Sequence, residues 1–212
     1  FVFIDYFFIS EPGDYVLNFK PIPFIILCVI ALIMVPLQTS FEEYLFRGYL
    51  MQGIGVIVKN KWLPLVITSV VFGLLHIANP EVEKLGYIIM IYYVGTGLLL
   101  GIITLMDEGL ELALGFHAAN NLFTALLVTA DWTAFQTHSI LKDMSDPEPI
   151  PLGEIFVPVF VIFPIILFIL SKKYKWTNWK DKLIGQVVEP AKANYKIIED
   201  LGDDSKLQKS TS

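Results

Sequence analysis

The chain has 212 residues, 55% of them hydrophobic and only 17% charged, with a formal net charge of −6. That surface is too poor in polar groups for a water-soluble domain of this length, and no basic stripe is present to meet a nucleic acid. Cys28 is the single cysteine, which excludes an intrachain disulfide and a cysteine-built metal cluster.

Residues 1–10 are apolar and aromatic and read as the end of an upstream helix or an interfacial segment. The opening Phe1-Val2-Phe3-Ile4 has no initiator Met and no basic n-region, so no signal peptide is expected and the chain reads as a piece of a longer protein. Glu11-Pro12-Gly13-Asp14 reads as a turn. The apolar residues then gather into blocks of about 16 to 22, the length that crosses ~30 Å of hydrocarbon at ~1.5 Å per residue. Six spans are expected, over 21–37, 39–58, 62–79, 85–106, 110–130 and 152–171. Residues 131–151 read as an acidic, proline-containing loop. The predicted fold class is therefore all-α, a polytopic transmembrane helix bundle over 1–171 in contact with membrane lipids.

Residues 172–212 read as a polar tail. Lys172, Lys173 and Lys175 with Trp176 and Trp179 would anchor the last helix at the interface, and the Ser/Lys/Asp-rich end has the composition of a disordered segment. With the tail on the cytoplasmic side, six spans put Lys20, Lys59 and Lys61 there too and leave Lys84 and Lys142 outside. The predicted location is an integral protein of the bacterial plasma membrane. Gly97 and Gly101 in the fourth span form a small-xxx-small face for close helix approach.

Ionisable side chains inside spans are expensive, so each is a candidate for function. They form a short set: Glu42, Glu43 and Arg47 in the second span, His76 in the third, and His117 with Asn121 in the fifth. Glu43 and Arg47 are four residues apart on one helix face and can neutralise each other. Glu42 points ~100° away, which leaves it free as a general base. Phe72 lies one turn before His76 and can restrict the imidazole. His117 and Asn121 share a face and could bind a metal-bound water or donate to an oxyanion. Straight helices leave His117 about 10 Å out of depth with Glu42 and His76. There is no His-Glu-x-x-His run, and Thr68 and Ser69 belong to no Ser-His-Asp pattern. His138, in the polar loop, reads as solvated.

Three patterns together resemble the CPBP family, which includes the type II CAAX prenyl endopeptidases and the bacterial Abi proteins. Glu42-Glu43-Tyr44-Leu45-Phe46-Arg47-Gly48 resembles its Glu-Glu-x-x-x-Arg motif, Phe72 to His76 its Phe-x-x-x-His, and His117 to Asn121 its His-x-x-x-Asn. The resemblance covers roughly 38–126 and implies a helical membrane core, often of eight spans, of which six are present here. It implies an intramembrane endopeptidase acting on a membrane-associated peptide or protein, as in CAAX processing. By the same resemblance Glu42 and His76 activate water, and His117 and Asn121 stabilise the tetrahedral intermediate or contribute to metal binding. Glu43, Arg47 and Phe72 support them. The family is labelled metalloprotease, but a metal-free route is also argued. One zinc ion on Glu42, His76 and His117 and metal-free acid–base chemistry both stay open. Two other classes compete with hydrolysis: a non-catalytic immunity or scaffold protein of the same fold, and an ion-coupled transporter, against which the lack of matching broken helices weighs.

Overall fold

The computed structural model describes residue 10, residues 12–146 and residues 152–188. The readings of residues 1–9 as an upstream segment and of 189–212 as a disordered end lie outside the described residues. A short strand, β1 (Tyr15–Leu17), leads into the first helix, α1 (Pro21–Val58). Pro21 and Pro23 occupy its first turn, where a backbone N–H has no intrahelical acceptor and none is lost. The helix stops where Lys59 turns left-handed, with its N–H on the Gly55 carbonyl at 2.9 Å.

The two spans expected over 21–37 and 39–58 are therefore one helix of 38 residues. Pro36 sits inside it. Proline deletes one hydrogen bond of the ladder, but a full turn at this depth would strip several backbone groups of partners where no water replaces them. The hydroxyl of Thr39 adds local bonds there, donating to the carbonyls of Val35 at 3.0 Å and Pro36 at 3.3 Å. From Tyr44 to Leu50 the helix widens into a π-helical stretch, a form often found at functional sites. At ~1.5 Å per residue α1 is about 57 Å long, well beyond the hydrocarbon thickness, so it tilts or projects. Its N-terminal half is apolar on nearly every side, with Ile22, Ile25, Val29, Ile33 and Leu37 all exposed, as a lipid-facing helix requires.

The remaining helices run up and down beside α1. They are α2 (Trp62–Leu74), the short α3 (Pro80–Leu85), α4 (Met90–Asp107), α5 (Glu111–Leu127) and α6 (152–174). A 3₁₀ turn, Tyr87–Ile89, leads into α4, and α6 contains a second π-helical stretch, Pro158–Ile162. Among the described residues three helices (Pro21–Val58, Tyr87–Asp107 and Ile155–Tyr174) are long and apolar enough to cross a membrane, and Trp62–Leu74 is a shorter apolar one. The chain is a helical membrane protein, as expected. Glycines bring α2 and α4 together. A Cβ on Gly97 would lie 2.9 Å from the Cα and carbonyl of Ser69, and one on Gly73 would lie 2.9 Å from the amide nitrogen of Val94. The backbones meet there because no side chain intervenes.

The two ends of the bundle differ. At one end β1 pairs antiparallel with β3 (Leu141–Asp143), which pairs in parallel with β2 (Val128–Ala130), directly after α5. The segment expected to be a plain loop thus supplies a strand to a three-stranded sheet. At the other end the described part of the expected tail, residues 172–188, packs back on the core. Trp176 is buried and donates to Asp107 at 3.1 Å, and α7 (Trp179–Ile184) is tied down by Lys182 on the Met106 carbonyl at 2.8 Å. Trp176 is therefore a protein-packing group and not an interfacial anchor. Merging the first two spans also moves Lys20 to the sheet end, away from Lys59 and Lys61 and beside Lys142.

Candidate active site

Three helices meet around Glu43. Its carboxylate and the Arg47 guanidinium are almost wholly buried, with side-chain exposures of 0% and 1%, and Nη1 donates to Oε1 at 2.9 Å. This is the expected one-turn pair. The arginine also does what its sequence position did not reveal: Nη2 donates to the Gly97 carbonyl at 2.8 Å, so the glycine contact on α4 supplies its second acceptor. The guanidinium lies 4.7 Å from the centre of the Phe72 ring, a cation–π contact in a dry setting. Phe46 packs edge-on against Phe72 at 5.5 Å. A buried charge pair is stable only when its remaining donors and acceptors are also met, and here Glu43 Oε2 and Arg47 Nε lack a hydrogen-bond partner.

Glu43 is also shared with α5. His117 Nδ1 lies 2.8 Å from the same Oε1 that takes Arg47. A carboxylate held by an arginine accepts, so the Nδ1–H donates and, in the neutral ring, Nε2 is left as an acceptor. Asn121, one turn on, offers its Nδ2 to that Nε2 at 3.4 Å. Glu42 is half-buried on the neighbouring face of α1, with Oε2 3.8 Å from His117 Nε2 and Oε1 accepting from Gln38 at 3.3 Å. The expected depth offset of His117 does not exist. It is removed because α5 starts deep in the bundle: a Cβ on Gly48 of α1 would lie 3.3 Å from Leu110, just before α5, so that helix begins about 15 Å in from the Val58 end, and Glu42 lies about 24 Å from that end. His76, about 21 Å along α2 from Trp62, comes to the same level.

His76 joins the cluster through Phe72, whose ring is 5.1 Å from that imidazole and 5.9 Å from the ring of His117. It sits just past the end of α2, where the chain tightens into a turn before Pro80. Its Nδ1 is 2.9 Å from the Phe72 carbonyl, which can only accept, so Nε2 is again the free acceptor. One ring face stacks on Tyr93 at 4.4 Å. The structure thus brings Glu42, Glu43, Arg47, His117 and Asn121 into direct contact and holds His76 one ring away. Thr68 and Ser69 spend their hydroxyls on the carbonyls of Pro64 and Leu65, and neither is set up as a nucleophile. His138 is exposed, as expected.

The conditional zinc set of Glu42, His76 and His117 does not fit a metal ion in this arrangement. Among the described residues no three His, Cys, Asp or Glu side chains converge on one point. Both rings keep Nε2 available, with Nδ1 held by Glu43 in His117 and by a carbonyl in His76, but His76 stands one ring away from His117. Beside His117 lies a mainly apolar cavity of about 110 Å³, walled by Tyr92, Leu99, Phe116, Asn120 and, from α6, Pro158 and Ile162.

Residues 21–123 match the family described as type II CAAX prenyl endopeptidase Rce1-like, and the matched segment contains every residue of the cluster. The chain is 33% identical over 169 residues to the uncharacterized protein YyaK of Bacillus subtilis (strain 168), an alignment covering 79% of this chain and 56% of that relative. The chain thus spans little more than half of the curated relative. No solved structure matches it.

Proposed function

We propose, from the match of residues 21–123 to the family of Rce1-like type II CAAX prenyl endopeptidases, that the chain is a member of that family and an intramembrane endopeptidase, hydrolysing a peptide bond of a membrane-associated peptide or protein in or near the bilayer. The observation that carries the reading is the 3.8 Å separation of Glu42 Oε2 from His117 Nε2. That is too long for a direct hydrogen bond and short enough for one water to touch both groups. Glu42 is the half-buried carboxylate not consumed by Arg47, and it removes the water proton. The water oxygen then attacks the scissile carbonyl carbon, and the proton on Glu42 passes to the leaving amine. Glu43 holds His117 in its Nδ1–H tautomer, as an orienting carboxylate does in a hydrolytic triad. In that tautomer His117 accepts, so the donor for the oxyanion is the Asn121 amide. His76, with Nε2 unprotonated, serves as the second proton acceptor. Arg47 and Phe72 keep the pieces in register.

An apolar cavity beside the cluster suits an aliphatic portion of substrate, in keeping with CAAX-type C-terminal processing. In this reading the protein resides in the bacterial plasma membrane with Lys59, Lys61, Lys172, Lys173, Lys175, Lys180 and Lys182 at its cytoplasmic end, and Lys20, Lys84 and Lys142 at the other. The test is cleavage of a quenched fluorescent peptide by protein purified in detergent. Glu42→Gln and His76→Ala are each expected to lower the rate by about 10² to 10⁴, with unchanged elution volume and helicity. Full cleavage by either folded variant would remove the mechanism.

A further inference from the structure

We infer that Tyr93 and Glu81 form a positioning pair that fixes the imidazole of His76, an inference that rests on the hydrolase reading of that histidine. Neither residue belongs to the three motifs. His76 needs such a device, because it lies beyond the last turn of α2, where the helix no longer restrains it. A single bond from Nδ1 to the Phe72 carbonyl leaves the ring able to swing about that contact, and a 180° turn about χ2 would exchange ring nitrogen for ring carbon and disorder the Nε2 position. The Tyr93 ring fixes the plane of the imidazole and obstructs the out-of-plane rotation through which both movements must pass. It stacks on the imidazole with centroids 4.4 Å apart and planes 21° from parallel.

Tyr93 is itself held at both ends. At its base, the neighbouring Val94 meets Gly73 so closely that a Cβ there would lie 2.9 Å from the Val94 amide nitrogen. That backbone contact, three residues before His76, sets how far α4 stands from the end of α2. At its tip, the phenol donates to Glu81 Oε1 at 2.8 Å. Glu81 is fixed in turn, accepting from Asn79 Nδ2 at 3.1 Å on the same oxygen and from the Ala134 amide at 2.9 Å on Oε2. One carboxylate thus collects donors from the α2–α3 turn, from α4 and from the loop before β3. A carboxylate saturated by three donors is a stiff anchor, and its stiffness reaches His76 through the stacked ring. The pair acts on Nε2 without touching substrate.

The experiment combines turnover with a spectroscopic readout on the full chain in detergent. Tyr93→Phe keeps the stack and loses the anchor; Tyr93→Leu loses both; Glu81→Gln disturbs the anchor alone. With the quenched peptide, Tyr93→Phe is expected to lower kcat about tenfold with KM within about twofold, and Tyr93→Leu to lower it further. Glu81→Gln combined with Tyr93→Phe is expected to be no slower than the worse single variant, because the two act as one unit. In ¹⁵N-histidine NMR spectra, His76 in the unaltered protein should show a single Nδ1–H tautomer that Tyr93→Leu converts to an averaged signal. Unchanged kcat and an unchanged His76 signal in Tyr93→Leu would overturn the inference. Should Glu81→Gln fail to fold, the two Tyr93 variants carry the test. If His76→Ala still cleaves, the role of His76 in hydrolysis falls, while the NMR comparison still decides whether the pair holds the ring.

Discussion

At the scale of single residues, the proposed chemistry turns on two adjacent glutamates with opposite fates. Helical geometry separates them by ~100°, and α4 and α5 then complete the distinction: Glu43 receives Arg47 and His117, and Glu42 keeps only Gln38 and a contact at 3.8 Å. Removing one member of a buried pair strands the other charge. Arg47→Met is therefore expected to destabilise the protein by about 3–5 kcal/mol in a denaturant titration of the detergent-solubilised chain. Arg47→Lys should cost less, about 1–3 kcal/mol, since lysine keeps the charge but lacks the fork that serves Glu43 and the Gly97 carbonyl together. An equal loss for both variants would show that a positive charge alone retains nothing and that the fork and the ring contact carry the whole effect. The motif spacing made Glu43 and Arg47 legible as a pair from sequence alone. The Gly97 carbonyl was not legible, because a backbone acceptor leaves no mark in the choice of residue.

At the scale of elements, close approach of α2 and α4 determines the geometry of both histidine environments. Alanine at Gly97 would force its methyl against the backbone of Ser69 and move the carbonyl that holds Arg47. Gly97→Ala is expected to cost about 1–3 kcal/mol and to lower activity with it. Gly115 on α5 is exposed and has open space around it, so Gly115→Ala should be neutral or stabilising by up to about 1 kcal/mol, which makes it the matched control. A second prediction concerns α1. Since the helix runs through Pro36, Pro36→Ala restores one backbone hydrogen bond without altering the path, and activity should be kept; loss of activity would mean that a bend at Pro36 serves the site. Hydrophobic blocks showed where helices lie. They did not show that two neighbouring blocks are one helix, because membrane length alone argued for a break where continuity satisfies more backbone groups.

At the scale of the whole molecule, the continuous α1 reverses one topological assignment. Lys20 and Lys59 lie at opposite ends of a single helix, so they face opposite sides of the bilayer. With Cys28, the one native cysteine, replaced by serine, cysteines can be introduced singly at Lys20, Asn60 and Lys142. An impermeant maleimide is expected to label Asn60→Cys from one side of sealed vesicles, and Lys20→Cys and Lys142→Cys from the other. Labelling of Lys20→Cys and Asn60→Cys from the same side would restore two separate spans. Among the described residues the basic end remains the one that carries Lys59, Lys61, Lys172, Lys173, Lys175, Lys180 and Lys182.

Residue types and their spacing were enough to establish a membrane helix bundle, the Glu43–Arg47 pair and the candidate set Glu42, His76, His117 and Asn121. Each of these follows from the cost of a polar group in hydrocarbon or from the 3.6-residue period, and both act within a single helix. Tertiary structure alone decided that His117 shares the oxygen of Glu43, that Gly97 completes the arginine, that His76 leans on Tyr93, and that Trp176 and α7 pack back on the core. Those facts depend on how far apart helix axes stand and on what fills the gap, and the periodicity of one helix contains neither quantity.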